Sequence, residues 1–232
     1  ISSIYLVHQK KWIKSAVLFG IAVSVKLIPL LFLPLFFKWF ITNFNKGLLK
    51  LFFYYLLVIS TTLLTFTPFL SLAFFNNFLE TTVLWFQDFE FNASIYYIIR
   101  WIGFKVVGWN MIAIIGKILS LVILIFIIML TFFRKNKSIQ QLITTLLFGI
   151  SAYYILSTTI HPWYIASPLL LSVFTKYKFP IVWSFVIVLS YSAYSIEVFS
   201  ENIWLLTLEY FIVFSFFIWE LLKPKNKAIK FY

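Results

Sequence analysis

Residues 111–133 form a mostly apolar run with no strand-like alternation. About 20 such residues, coiled as an α-helix, match the hydrocarbon thickness of a bilayer. Similar runs lie near 51–68, 141–159 and 203–222, and shorter ones near 163–175 and 180–196. In hydrocarbon every backbone N–H and C=O must find a partner within the chain, and a helix supplies it within the segment. The expected fold is therefore all-α: a polytopic transmembrane helix bundle of about six spans. No repeat, low-complexity tract or linker divides it, so residues 1–232 read as a single membrane domain.

Composition agrees with this. The chain is 62% hydrophobic and only 11% charged, with a mean hydropathy of +0.99. A soluble domain carries roughly a quarter of its residues charged. The net charge of +12 would point to nucleic acid in a soluble protein. Here the basic residues fall between apolar runs: Lys10 to Lys14, Lys38 to Lys50, Arg134 to Lys137, Lys176 to Lys178 and Lys223 to Lys230. Cytoplasmic loops carry such an excess of Lys and Arg. Loops 38–50, 134–140 and 176–179 and the tail after 222 are thus placed inside, and 69–110, 160–162 and 197–202 outside. Nucleic acid is not an expected partner; membrane lipid is. Glu80, Asp88, Glu90, Glu197 and Glu201 fall in the outer loops, whereas Glu209 and Glu220 lie in the last span.

Segment 15–37 is flanked by basic clusters at both ends and contains Lys26, Pro29 and Pro34. It reads as a broken helix or re-entrant hairpin, or as a single crossing with residues 8–14 outside. Irregular backbone at that depth requires cover by protein or water. A buried lysine needs a partner. Lys26 is therefore either a binding residue or the marker of a cytoplasmic hairpin tip. The outer loop 69–110 is aromatic, with Phe74, Phe75, Phe78, Trp85, Phe86, Tyr96, Tyr97, Trp101 and Trp109, so short interfacial helices are expected in it. Asn92 is the expected N-cap of one of them. Asn92-Ala-Ser94 also matches a glycosylation sequon, read here as fortuitous.

Arg100 and Lys105 are basic on the outer side. Snorkelling accounts for them, and so does a phosphate, whose oxygens match an arginine fork. His161 precedes Pro162, which disfavours helical geometry and puts the imidazole at a helix boundary. Trp163 and Tyr164 fit either an interfacial belt or a sugar platform. There is no cysteine, no P-loop, no HExxH, no GxSxG and no Rossmann glycine pattern. With two histidines, a zinc site is not expected.

Three segments resemble the GT-C glycosyltransferases, specifically bacterial mannosyltransferase-like members. Ser24-Val-Lys26-Leu-Ile-Pro29-Leu-Leu-Phe-Leu-Pro34 is similar to their lysine-proline segment. Phe89-Glu90-Phe91-Asn92-Ala-Ser94-Ile-Tyr96-Tyr97-Ile-Ile-Arg100 is similar to an external loop, and Thr159-Ile-His161-Pro162-Trp163-Tyr164 to the motif before a late outer-facing helix. The resemblance implies a multi-pass protein of the bacterial inner membrane. It would move a hexose, mannose first, from a polyprenyl-phosphate sugar donor to a glycan or lipid acceptor at the outer face. Arg100, Lys105 and His161 would meet the leaving phosphate, Trp163 and Tyr164 the sugar or lipid, and Asn92, Tyr96 and Lys26 complete the candidate substrate contacts. No cofactor is implied, and metal dependence stays open. The family's catalytic carboxylate lies in a first external loop that nothing here matches. The chain is therefore expected to be the C-terminal portion of a larger protein, with the general base before Ile1. The rival expectation is a lipid-linked-sugar flippase or other transporter; a structural membrane subunit is the third.

Overall fold

The computed structural model describes residues 1–87, 89–194 and 199–223, with backbone alone for 82–87. Asp88, Glu197 and the basic tail beyond Lys223 lie outside the described residues, as do the side chains of Trp85 and Phe86. The described chain is all-α, with a single isolated bridge between Phe91 and Thr159 as its extended pairing. It divides into two compact units, Ile1–Thr159 and Ile160–Tyr232.

The first unit contains α1 (Ser2–His8), α2 (Trp12–Val25), α3 (Phe37–Asn43), α4 (Gly47–Phe66), α5 (Leu72–Gln87), α6 (Ile95–Val107), α7 (Ile112–Phe133) and α8 (Ile139–Leu156). The second contains α9 (Ala166–Val173), α10 (Phe179–Val186) and α11 (Ile203–Leu222). Four described helical stretches are long and apolar enough to cross a membrane: Gly47–Phe69, Ile112–Phe133, Ile139–Leu156 and Ile203–Leu222. They coincide with the four long runs read from sequence. The shorter runs are helical too, through 162–173 and 179–194, partly as 3-10 turns. The outer loop holds α5 and α6, so the expectation of helices within it holds.

Segment 12–43 is a broken helical hairpin. α2 ends at Lys26, whose backbone is extended, and two 3-10 turns follow before α3, with Pro29 second in Ile28–Phe32 and Pro34 first in Pro34–Phe36. Proline fits these opening positions because the N–H it lacks has no partner there anyway. α2 runs alongside α4 in the same direction. Ser15 lies 3.3 Å from the Tyr54 hydroxyl, and the Thr65 hydroxyl donates to Ser24 at 2.5 Å. Between them Gly20 lets the helices touch, for a Cβ there would come within 2.6 Å of Thr61 Cβ and 2.8 Å of the Val58 carbonyl. At the near end Ser3 and Ser15 exchange hydroxyl-to-carbonyl bonds of 2.9 and 2.8 Å, a buried polar knot beneath Tyr54.

That pairing sets the ends of the first unit. The turns 9–11 and 44–46 precede α2 and α4 at one end, and Asn43 joins them to the α7–α8 loop. Its carbonyl accepts from Lys10 Nζ, and its amide donates to the Lys137 carbonyl at 3.3 Å. Lys26 and the start of the outer loop stand at the opposite end, level with Thr65. Lys26 thus marks a hairpin tip, but not the tip on the basic side. The lysine repeats the charge of the basic turns, and only the direction of packing against α4 separates them.

In the second unit α10 packs on α11. The Glu220 carboxylate accepts from the N–H groups of Lys178 (2.7 Å) and Phe179 (2.9 Å), satisfying donors at the start of α10. Glu209, fully buried in α11, accepts from Trp183 Nε1 at 3.2 Å.

Candidate functional site

Within the first unit, the segment after residue 88 is drawn against the end of α8. The Phe91 N–H donates to the Thr158 carbonyl at 3.1 Å, and the Thr159 hydroxyl donates to the Phe89 carbonyl at 3.0 Å. Phe91 is fully buried. Asn92 follows with φ 48°, a left-handed conformation that asparagine tolerates better than most residues, and it is fully buried. The N-cap of α6 is Ser94, not Asn92. Asn92 instead turns the chain between the bridge and the helix. Burial also removes it from reach of a glycosylating enzyme.

The bridge positions Glu90 beside the first turns of α6. Its carboxylate pairs with Arg100 Nη1, accepts the Tyr96 hydroxyl at 2.5 Å and takes Asn110 Nδ2 at 3.3 Å. The Tyr96 oxygen also lies 3.1 Å from Asn110 Oδ1. The Arg100 guanidinium stacks over the Tyr97 ring, 4.3 Å from its centroid. Burial, then the hydrogen bond and charge of Glu90, hold the Tyr96 phenol protonated well above its ordinary range. Tyr96, Arg100, Glu90 and Asn110 therefore form one polar cluster. Lys105, one turn beyond Trp101 and 6.0 Å from that ring's centroid, is exposed and stands outside it. Lys26 shares this end of the unit.

Sequence reasoning named Arg100 and Tyr96 but not their dependence on Glu90 and Asn110. Glu90 was an external acid without an assigned partner. Its distance of ten residues from Arg100 matches no helical repeat, because the bridge and the Asn92 turn intervene. The side-by-side threonines Thr158-Thr159, β-branched and just past a helix end, were the legible trace of extended pairing.

In the second unit, Pro162 opens a 3-10 turn over Pro162–Ile165 that leads into α9. His161 is extended, as a residue before proline should be. Its imidazole lies parallel to the Trp163 indole, with centroids 4.5 Å apart and planes within 4°. The Tyr164 ring meets His161 edge-on at 5.3 Å. His161 is 8% exposed, but Trp163 is 61% exposed. An open indole backed by a buried parallel ring is a rigid flat surface of the kind that receives the apolar face of a sugar ring or an isoprenoid chain. The sequence-predicted trio His161, Trp163 and Tyr164 is thus one aromatic cluster.

Among the described residues, no group of three His, Asp or Glu side chains converges in a way that could hold a metal ion. No protein-family model, no curated protein and no solved structure matches the chain.

Proposed function

We propose that the chain lies in the bacterial inner membrane as a multi-pass bundle of about six spans plus the hairpin 12–43, with α5 and α6 at the outer surface. In this reading it is the substrate-binding part of a GT-C-type glycosyltransferase. A hexose, mannose first, moves from a polyprenyl-phosphate donor to a glycan or lipid acceptor. The observation that carries the reading is the Phe91–Thr159 bridge. Within the first unit it joins Phe91 of the external-loop segment to Thr159, the first residue of the other segment that resembles the same family.

Roles follow from chemistry. Trp163 offers the stacking surface, and His161 and Tyr164 hold it in place. Arg100 has more N–H donors than its pair with Glu90 engages through Nη1, and the remaining fork suits phosphate oxygens. Glu90 is already committed to Arg100, Tyr96 and Asn110, so it is not assigned the role of general base.

The test is mannosyl transfer from a radiolabelled polyprenyl-phosphate mannose by membranes holding the full-length protein. Trp163→Ala should lower transfer about tenfold, the order of an aromatic contact's contribution, at unchanged expression. His161→Ala should do the same by freeing the indole. Full transfer in both variants would sink the site. The broken hairpin also suits a transporter. Uptake of the lipid-linked sugar without a product would establish that reading instead.

A further inference from the structure

We propose that the basic end of the first unit is a binding site for anionic phospholipid, its phosphate held by Lys10, Lys46 and Lys50 and its acyl chains lying along α4. This rests on the membrane placement proposed above, not on the transferase reading. The turns 9–11 and 44–46 and the loop 134–138 are brought together here through Asn43. None contains an acidic residue; the acids of this unit, Glu80, Asp88 and Glu90, all belong to the 69–110 loop.

The lysines are placed with some cost. Lys10 and Lys46 adopt left-handed backbone, φ 62° and 54°, where glycine or asparagine is more at ease. Gly47, adjacent to Lys46, is spent instead on close approach to the Phe40 carbonyl. Lys10 and Lys50 lie over the same Phe44 ring, at 4.8 and 5.3 Å from its centroid. Both ammonium groups are thus held at one ring, and an anion placed there is attracted by each.

The adjoining surface decides what kind of anion. Leu48, Leu49 and Phe52, in the first turns of α4 beside these lysines, are 63%, 52% and 62% exposed. A soluble polyanion has no use for that apolar flank, whereas a phospholipid carries a phosphate and hydrocarbon in one molecule. Each lysine near an anionic lipid surface contributes about a fivefold preference.

The experiment is native mass spectrometry of the full chain released from nanodiscs of phosphatidylcholine and phosphatidylglycerol in equal parts. The wild type should retain phosphatidylglycerol over phosphatidylcholine. Lys10→Gln/Lys46→Gln/Lys50→Gln should lower that preference at least tenfold, and the matching triple arginine variant should keep it, so that loss of fold is told apart from loss of charge. Equal retention of the two lipids by the wild type, or an unchanged preference in the glutamine variant, overturns the site. So does displacement of the lipid by inorganic phosphate or a short RNA at matched anion concentration. Release of the protein from membranes by alkaline carbonate would overturn the membrane placement itself, and is scored separately.

Discussion

Replacing Glu90 with glutamine removes the charge to which Arg100, Tyr96 and Asn110 all donate. The side chains of the Glu90–Arg100 pair are only about a quarter exposed, so water compensates little. Glu90→Gln should cost about 1–3 kcal/mol, read as a lowered thermal midpoint in detergent, with a smaller additional loss when Arg100→Gln is added. Additive losses would show that the two side chains do not act together. Tyr96 gives this cluster a pH signature. Its folded-state pKa is raised, so its contribution is complete below about pH 10 and is lost as pH climbs beyond that. Tyr96→Phe should therefore lower stability near neutrality by about 1 kcal/mol and flatten the alkaline fall in stability. An alkaline limb identical to the wild type's would assign that fall to other tyrosines. The types of these residues were legible in the sequence, since Arg100 and Tyr96 stood out against an apolar chain. Their partners were not, because the pairing depends on a backbone bridge to residues on a distant helix end.

At the scale of elements, length and apolarity made the long helices legible to within a few residues. The hairpin was legible only as an interruption. Lys26, Pro29 and Pro34 announce where regular helix stops, but not which way the chain leaves. That is decided by small residues whose meaning is tertiary, Gly20 above all. Gly20→Val would drive its side chain into Thr61 and the Val58 carbonyl. It should destabilise the fold by about 1–3 kcal/mol, seen as earlier unfolding in a detergent melt. A partial rescue by Thr61→Gly, which removes that Cβ, would tie the loss to this contact; a melt equal to the wild type's would mean that the helices separate without cost.

Across the whole molecule, sidedness joins the elements. The chain has no cysteine, so single cysteines report their own exposure without background. In sealed, oriented vesicles, Lys46→Cys and Lys26→Cys should react with a membrane-impermeant maleimide from opposite faces. Reaction of both from one face would contradict the hairpin's depth. The charge clusters made the basic face legible early; the position of Lys26 needed the packing of α2 against α4.

The bridge at Phe91 also has a meaning in time. Thr159 and Phe89 are 70 residues apart, and α6, α7 and α8 are made between them. A chain emerging in order cannot close this contact until α7 and α8 have both been made. The strap that positions Glu90 is thus docked only after α8 has been made. A nascent chain halted before Thr159 would hold every residue of the polar cluster around Glu90 and still leave its strap undocked.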